Sequence, residues 1–204
     1  EFRAWQRQAA LRAKRAGFDI IYVYAGHDYL PFQFLSPLTN HRADEYGGTL
    51  ENRARLLREM IEDTKDAVGD TCAVAVRLAV DELQGATGIT HDGDGKAVIE
   101  MLSDLPDLWD VNVAGDLGND SKSSRFSPEG FQEDHVSFVK QLTGTPVVSV
   151  GRFTSPDTMV GQIKRGIQDF IGAARPSIAD PFLPNKIAGG REDEIRECIG
   201  CNIC

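Results

Sequence analysis

The stretch "CAVAVRLAV", residues 72–80, is apolar at every position except Arg77. A run that is apolar on both alternating sets reads as a strand buried on both faces, the habit of parallel sheets. The segments on either side decide which kind. Upstream, "TLENRARLLREMIEDTKDAVG" (49–69) has helical periodicity, with Thr49 placed to cap its start and Gly69 to stop it. Downstream, "GKAVIEMLSDL" (95–105) is again helical in period, and "LWDVNVAG" (108–115) is the next apolar run. The unit is therefore helix, strand, helix, strand.

The same alternation extends in both directions. "FDIIYVYA" (18–25), "TPVVSVG" (145–151) and "DFIGAA" (169–174) read as further buried strands. "FQEDHVSFVKQLTG" (131–144) and "SPDTMVGQIKRG" (155–166) read as helices, the second opened by a Ser155-Pro156-Asp157 cap. Gly144 and Gly166 fall where helices should end. The opening "EFRAWQRQAALRAKRAGFD" carries Phe2, Trp5, Ala9 and Leu11 at roughly helical spacing. Strict β-α alternation means an α/β fold with a parallel sheet, either doubly wound or closed as a barrel. Five strands preceded by a helix predict the last five-eighths of a (β/α)8 TIM barrel. Residues 1–190 are assigned to that barrel part, and 191–204 to the start of a separate cysteine-bearing segment. The chain opens on Glu1 and stops on Cys204, so a fragment is expected, inactive by itself.

With 204 residues, a net charge of −9 and no basic tract, the chain lacks a nucleic-acid footprint. No apolar run approaches the ~18 residues of a membrane span, and no signal peptide is visible. Three of the four cysteines cluster in "CIGCNIC" (198–204), a pattern of metal ligation more than of disulfides, which points to a reducing cytoplasm.

In such barrels the chemistry lies at the C-terminal ends of the strands. Tyr24 and His27 follow the first strand, three apart, as a proton-transfer pair would; the plain alternative is a Tyr and a His bonded to nearby backbone. Arg77 needs an anion in its apolar strand, either a protein carboxylate or an electron-rich cofactor. Gly151-Arg152 and Ala174-Arg175 each put small residues and an arginine at a strand exit, as a phosphate site does. Segment 36–60 reads as structural: Gly47-Gly48 make a turn, and Glu51, Arg53 and Arg55 are available for ion pairs. His91 and His135 read as surface residues, His41 has no evident partner, and Cys72 reads as a small buried hydrophobe. Cys198, Cys201 and Cys204 in C-x-x-C-x-x-C spacing suit an iron–sulfur cluster whose fourth ligand lies beyond residue 204.

Taken together, "YVYAGHDYLPFQFLSPLTNHRADEYGGTLENRARLLREM", "CAVAVR", "VGRFTSPDTM", "GAARPSIADPFLPNK" and "IRECIGCNIC" resemble the trimethylamine/dimethylamine dehydrogenase branch of the Old Yellow Enzyme superfamily. The resemblance covers essentially the whole chain. It implies FMN, with Arg77 beside the N1/O2 edge of the flavin and Gly151, Arg152, Ala174 and Arg175 at its phosphate. It implies a [4Fe–4S] cluster on Cys198, Cys201 and Cys204, and Tyr24, His27 and Asp120 as the catalytic trio, with Asp116 a rival for the third place. The ene-reductase relatives usually carry His at the first of these positions, followed three residues later by Asn or His. Members that take the trimethylammonium group have a tryptophan three residues before the Asp; Leu117 stands here, in a loop about two residues shorter. Part of a cation–π cage is thus absent, which favours a secondary or N-methylated amine. Electrons would leave through the cluster to an electron-transfer flavoprotein or similar acceptor, and a homodimer remains open. Two rivals stand beside this expectation: an NAD(P)H-dependent ene-reductase of the dienoyl-CoA type, and a non-enzymatic iron–sulfur electron carrier or redox sensor.

Overall fold

The computed structural model describes residues 1–113 and 123–204. Five parallel strands form one sheet in strict chain order: β1 (Ile20–Ala25), β2 (Ala73–Asp81), β3 (Leu108–Val113), β4 (Val147–Ser149) and β5 (Phe170–Ile171). A doubly wound sheet reverses its order at a switch point, whereas a barrel adds each strand beside the last. The monotonic order is the barrel's.

Helices α1 (Phe2–Arg15), α2 (Leu30–Leu35), α3 (Leu50–Val68), α4 (Asp94–Leu102), α5 (Glu133–Val136), α6 (Phe138–Leu142), α7 (Pro156–Lys164), α8 (Ala174–Ala179) and α9 (Leu183–Ala188) are the described helices of four or more residues. None is long and apolar enough to cross a membrane. The caps fall where the sequence put them. The Thr49 side chain accepts from Asn52 N and that of Ser155 from Thr158 N, and Gly69 ends α3 with φ 58°. The expected helix over 131–144 is two short ones with Ser137 between them. β4 and β5 are shorter than expected, because the chain turns out of the sheet near Arg152 (φ 57°) and enters α8 at Ala174. In α1 it is Ala10 that is buried and Trp5 that is exposed. The helix packs on the core through Ala10, with Phe2, Leu11 and Ala13 beside it, and Arg3 adds an ion pair to α3, donating through Nε and Nη2 to Asp63 at 2.6 and 2.9 Å.

The strands sort their side chains by parity. Val74, Val76, Leu78, Trp109 and Val111 belong to the buried core that α3 and α4 complete with Leu57, Met60, Ile61, Ile99 and Leu102. The opposite parity carries the polar groups. Register places Tyr24, Arg77, Asp110, Val148 and Phe170 in a single row across all five strands. The apolar face thus holds the sheet to its helices, and the other face is left for chemistry.

Segment 36–60 is structural, as its sequence suggested. Arg53, nearly buried, donates to the carbonyls of Leu35 and Gly48 and to Asp94 Oδ2 at 2.7 Å. Asn40 Nδ2 donates to the carbonyls of Phe34 and Tyr46. Gly47 must be glycine, since a Cβ there would stand 2.1 Å from Arg42 O, and Gly48 turns with φ 80°. Cys72 is only half buried, its thiol 3.2 Å from Phe18 O.

Candidate active site

Tyr24 is the penultimate residue of β1, and the turn that follows takes His27 and Asp28 through left-handed φ values of 48° and 58°. That turn folds the imidazole back over the strand end, so that Tyr24 Oη and His27 Nδ1 lie 2.8 Å apart. Tyr29 packs edge-on against the Tyr24 ring at 5.2 Å. On the other side of the imidazole, Asn112 Nδ2 stands 3.4 Å from His27 Nε2 and donates to Val113 O at 3.0 Å. With the Asn amide oriented by that carbonyl, its second hydrogen faces Nε2. This arrangement suits the tautomer protonated on Nδ1, which donates to the phenol oxygen and leaves the phenol hydrogen for a bound molecule.

Arg77 has the carboxylate partner its burial demands: Nη1 donates to both oxygens of Asp110, at 2.8 and 2.7 Å. Burial pushes the Asp110 carboxyl above its ordinary value, against the pull of Arg77. Arg77 thus has the protein carboxylate that was one of its two expected partners. It is salt-bridged, yet its Nε is buried without a partner, and its guanidinium stands 5.8 Å from the centre of the Tyr24 ring.

Three of these groups, His27, Arg77 and Asn112, border a cavity of about 160 Å³. His27, Arg77 and Asn112 line one side, Gly151 and Arg152 the next, and Ala174, Arg175 and Cys198 the far side. Arg152 donates from Nη1 to Ser127 O at 3.1 Å, while its Nε is buried without a partner. Arg175 donates from Nη1 to Ser123 O at 2.8 Å and to Asn202 Oδ1. The backbone is close-packed here: a Cβ on Gly172 would meet Val150 Cγ1 at 2.5 Å, and one on Gly151 would meet Gly130 at 3.3 Å. Glu129 braces the loop after β4, accepting from Thr154 N at 2.5 Å, Ser155 N at 2.7 Å and Ser155 Oγ at 2.8 Å. Those donors outweigh its partial burial and hold its carboxyl down to about 2.

The folded chain therefore gathers seven of the sequence-selected residues around one cavity, and Tyr24 joins them through His27. Asp120, with Asp116 and Leu117, lies outside the described residues. Cys201 and Cys204 are exposed in an irregular segment, and the three terminal sulfurs do not converge. Gathering thiolates needs the metal's own binding energy, so such a segment need not be formed beforehand. Sequence reasoning missed Asp110, Asn112 and Gln132, although the alternation in "WDVNV" puts the first two on one strand face. It also misjudged His91 and His135. They are half buried and bonded around Asp81, because the β2–α4 loop and α5 meet over the end of β2.

An anionic, acceptor-rich group suits the donors of this cavity. Two arginines present unpartnered Nε groups there, and the small residues at its wall admit close backbone contact. The donor set of the terminal segment, three cysteines at two-residue intervals, fits three of the four ligands of an iron–sulfur cluster.

The chain is similar to known flavin oxidoreductases over nearly its whole length. The sequence pattern of the NADH:flavin oxidoreductase / NADH oxidase family matches residues 4–194. Dimethylamine dehydrogenase of Hyphomicrobium sp. (strain x) is 50% identical over 199 residues, covering 96% of this chain and 27% of that protein. The solved structure of 6-hydroxypseudooxynicotine amine oxidase from Pseudomonas geniculata N1 superposes with a TM-score of 0.94 at 63% identity, over 100% of this chain and 30% of that one. Histamine dehydrogenase from Rhizobium sp. 4-9 gives 0.92 at 51%, over 100% and 29%. The chain thus spans under a third of the length of these relatives, and what it describes is five successive units of a (β/α)8 barrel.

Proposed function

The chain belongs to the NADH:flavin oxidoreductase / NADH oxidase family, and from that premise we propose that it forms the catalytic end of an FMN-dependent dehydrogenase of small secondary or N-methylated amines. FMN, when bound, supplies a two-electron acceptor. Arg152 and Arg175, with the backbone at Gly151 and Ala174, would hold its phosphate. Arg77 would offer its free Nε to the ring edge on which negative charge gathers, while Asp110 keeps the guanidinium in line.

The carrying observation is the Tyr24–His27 pair, 2.8 Å apart, with His27 lining this cavity. Oxidation of an amine removes a hydride from the carbon next to nitrogen, and only a neutral amine has the lone pair to assist. With its hydrogen given up to solvent, the Tyr24 oxygen, held by His27 Nδ1–H, would accept the proton the amine must lose. Asn112 keeps the imidazole in that tautomer. The iminium product then takes up water and divides into an aldehyde and a smaller amine. Asp120 is the third member of this proton-handling group by resemblance.

Electron exit is the second half of the reading. Cys198, Cys201 and Cys204 would carry three ligands of a [4Fe–4S] cluster, passing single electrons to an electron-transfer flavoprotein or similar acceptor in the cytoplasm. That Cys198 lines the same cavity as Arg175 supports a short path.

The test is anaerobic mixing of the full-length, flavin-loaded protein with dimethylamine, dimethylglycine or N-methylproline. Bleaching of the flavin is expected. Reduction by NADPH with turnover of an enoate, and none by any amine, would replace this reading with the ene-reductase one.

A further inference from the structure

Away from the flavin-type cavity, three side chains converge with no role in the reaction above. Asp81 closes β2, His91 lies in the loop before α4, and His135 lies in α5. Asp81 Oδ2 is 2.7 Å from His91 Nδ1 and 3.4 Å from His135 Nδ1, and the two Nδ1 atoms are 3.2 Å apart. Among the described residues this is the single group of three potential metal ligands whose donor atoms meet so closely.

The carboxylate is aimed, not merely nearby. The β2–β3 register shifts between Ala79 and Asp81, which re-aims the last side chain of the strand. Its Oδ1 accepts from Leu83 N at 2.7 Å and its Oδ2 from His91 N at 2.9 Å, with Leu83 held at φ 56°. Asp81 is 5% exposed in its side chain, and its ion-pair partners among the described residues are the two histidines. A buried carboxylate thus lacks a permanent cation. Two facing ring nitrogens at 3.2 Å have room for one proton between them, so one lone pair is always directed at the other two donors. A cation at the centre satisfies all three.

The spacing selects the cation. Tetrahedral zinc with ligands at about 2.0–2.1 Å has ligand–ligand edges of about 3.3–3.4 Å. The 3.4 and 3.2 Å separations are close to that, and the 2.7 Å Asp81–His91 pair would open by about 0.6 Å on binding. Two imidazoles and one carboxylate suit a borderline divalent ion, not calcium or magnesium. Both rings are partly exposed, so the proton displaced from Nδ1 can move to Nε2 and no other base is needed.

We infer that Asp81, His91 and His135 form a zinc-class divalent metal site that clips the loop after β2 to the helix after β3, with its fourth position open to solvent. The clip reaches the cavity rim. Gln132, whose carbonyl accepts from His135 N at 3.0 Å, lines the cavity and accepts from Val113 N through Oε1 at 3.1 Å.

The test uses full-length protein with its cofactors, stripped with a chelator and dialysed against zinc. One equivalent of zinc dependent on this group is expected, with an X-ray absorption first shell of nitrogen and oxygen alone. His135→Ala and, separately, His91→Ala should each lower zinc affinity by at least about 100-fold, the upper range for losing even an outer-shell partner. His135→Gln, which keeps the side-chain bulk, should do the same, and unchanged flavin content shows that the variants fold. Zinc that survives both alanine substitutions, a shell containing sulfur, or no zinc above background overturns the assignment.

Discussion

Asp110→Asn tests whether the polar face of the sheet is held together by one ion pair. Arg77 donates twice to Asp110, and the two side chains are 19% and 9% exposed. Removing one partner of a buried pair costs about 3–5 kcal/mol, because the other charge is left without compensation. Arg77 borders the cavity and keeps some access to water, so the lower end applies, about 3 kcal/mol. Hydrogen exchange of peptides covering 73–81 and 108–113, in flavin-stripped full-length protein, reads this as local opening. The exchange there should accelerate by about 100-fold, at ~1.4 kcal/mol per tenfold. Arg77→Met should act alike, and the double variant Arg77→Met/Asp110→Leu should return to within about 1 kcal/mol of the parent, since a buried pair replaced by apolar groups is often neutral. The pH dependence has a definite sign. A carboxyl raised in the fold binds its proton more tightly folded than unfolded, so local stability falls as pH rises from the unfolded value of 3.8 through the folded one. Asp110→Asn removes that slope. Additive costs in the double variant would refute the coupling.

Other expectations follow from the same geometry. Tyr24→Phe should cut the turnover of an amine by about 100-fold or more and remove one limb of its pH profile, with flavin affinity unchanged, as measured by steady-state kinetics and flavin titration. Arg152→Ala, losing one charge-assisted contact of about 1.5–3 kcal/mol, should weaken FMN binding by roughly 10–100-fold in equilibrium dialysis. Glu129 titrates at about 2 in the fold, so its support of the loop after β4 is complete above pH 4.5 and fades as pH falls toward 2; Glu129→Gln should abolish that acid-side change in the exchange of residues 152–158.

Much of the barrel was legible because buried parallel strands write themselves as unbroken apolar runs. "CAVAVRLAV" and "LWDVNVAG" gave β2 and β3 to within two residues, and Thr49, Gly69 and Ser155 marked helix ends by their own chemistry. The two arginine exits, Gly151-Arg152 and Ala174-Arg175, were selected by sequence alone, and the fold brings both to one cavity. What stayed hidden depends on neighbours distant in sequence. Asp110 meets Arg77 across 33 residues and His135 meets His91 across 44, and no local periodicity records either. The register that aligns Tyr24, Arg77 and Asp110 is a property of the sheet, not of any strand. Trp5 misled because α1 packs on the core through Phe2, Ala10, Leu11 and Ala13, which leaves this aromatic on the wet side.

Arg175 joins two neighbourhoods that the sequence keeps apart. Its Nη1 is shared between Ser123 O and Asn202 Oδ1, and Arg125 N donates to Gly200 O at 2.9 Å. The strip 123–125 and the cysteine loop are therefore tied by the same guanidinium that faces the cavity. An anion arriving there competes with Asn202 for that group, so its binding and the shape of the cysteine loop are thermodynamically linked, each altering the other by the same factor. Loading either one therefore shifts the affinity for the other, and this single side chain couples cofactor binding to the shape of the cysteine loop without requiring that either come first.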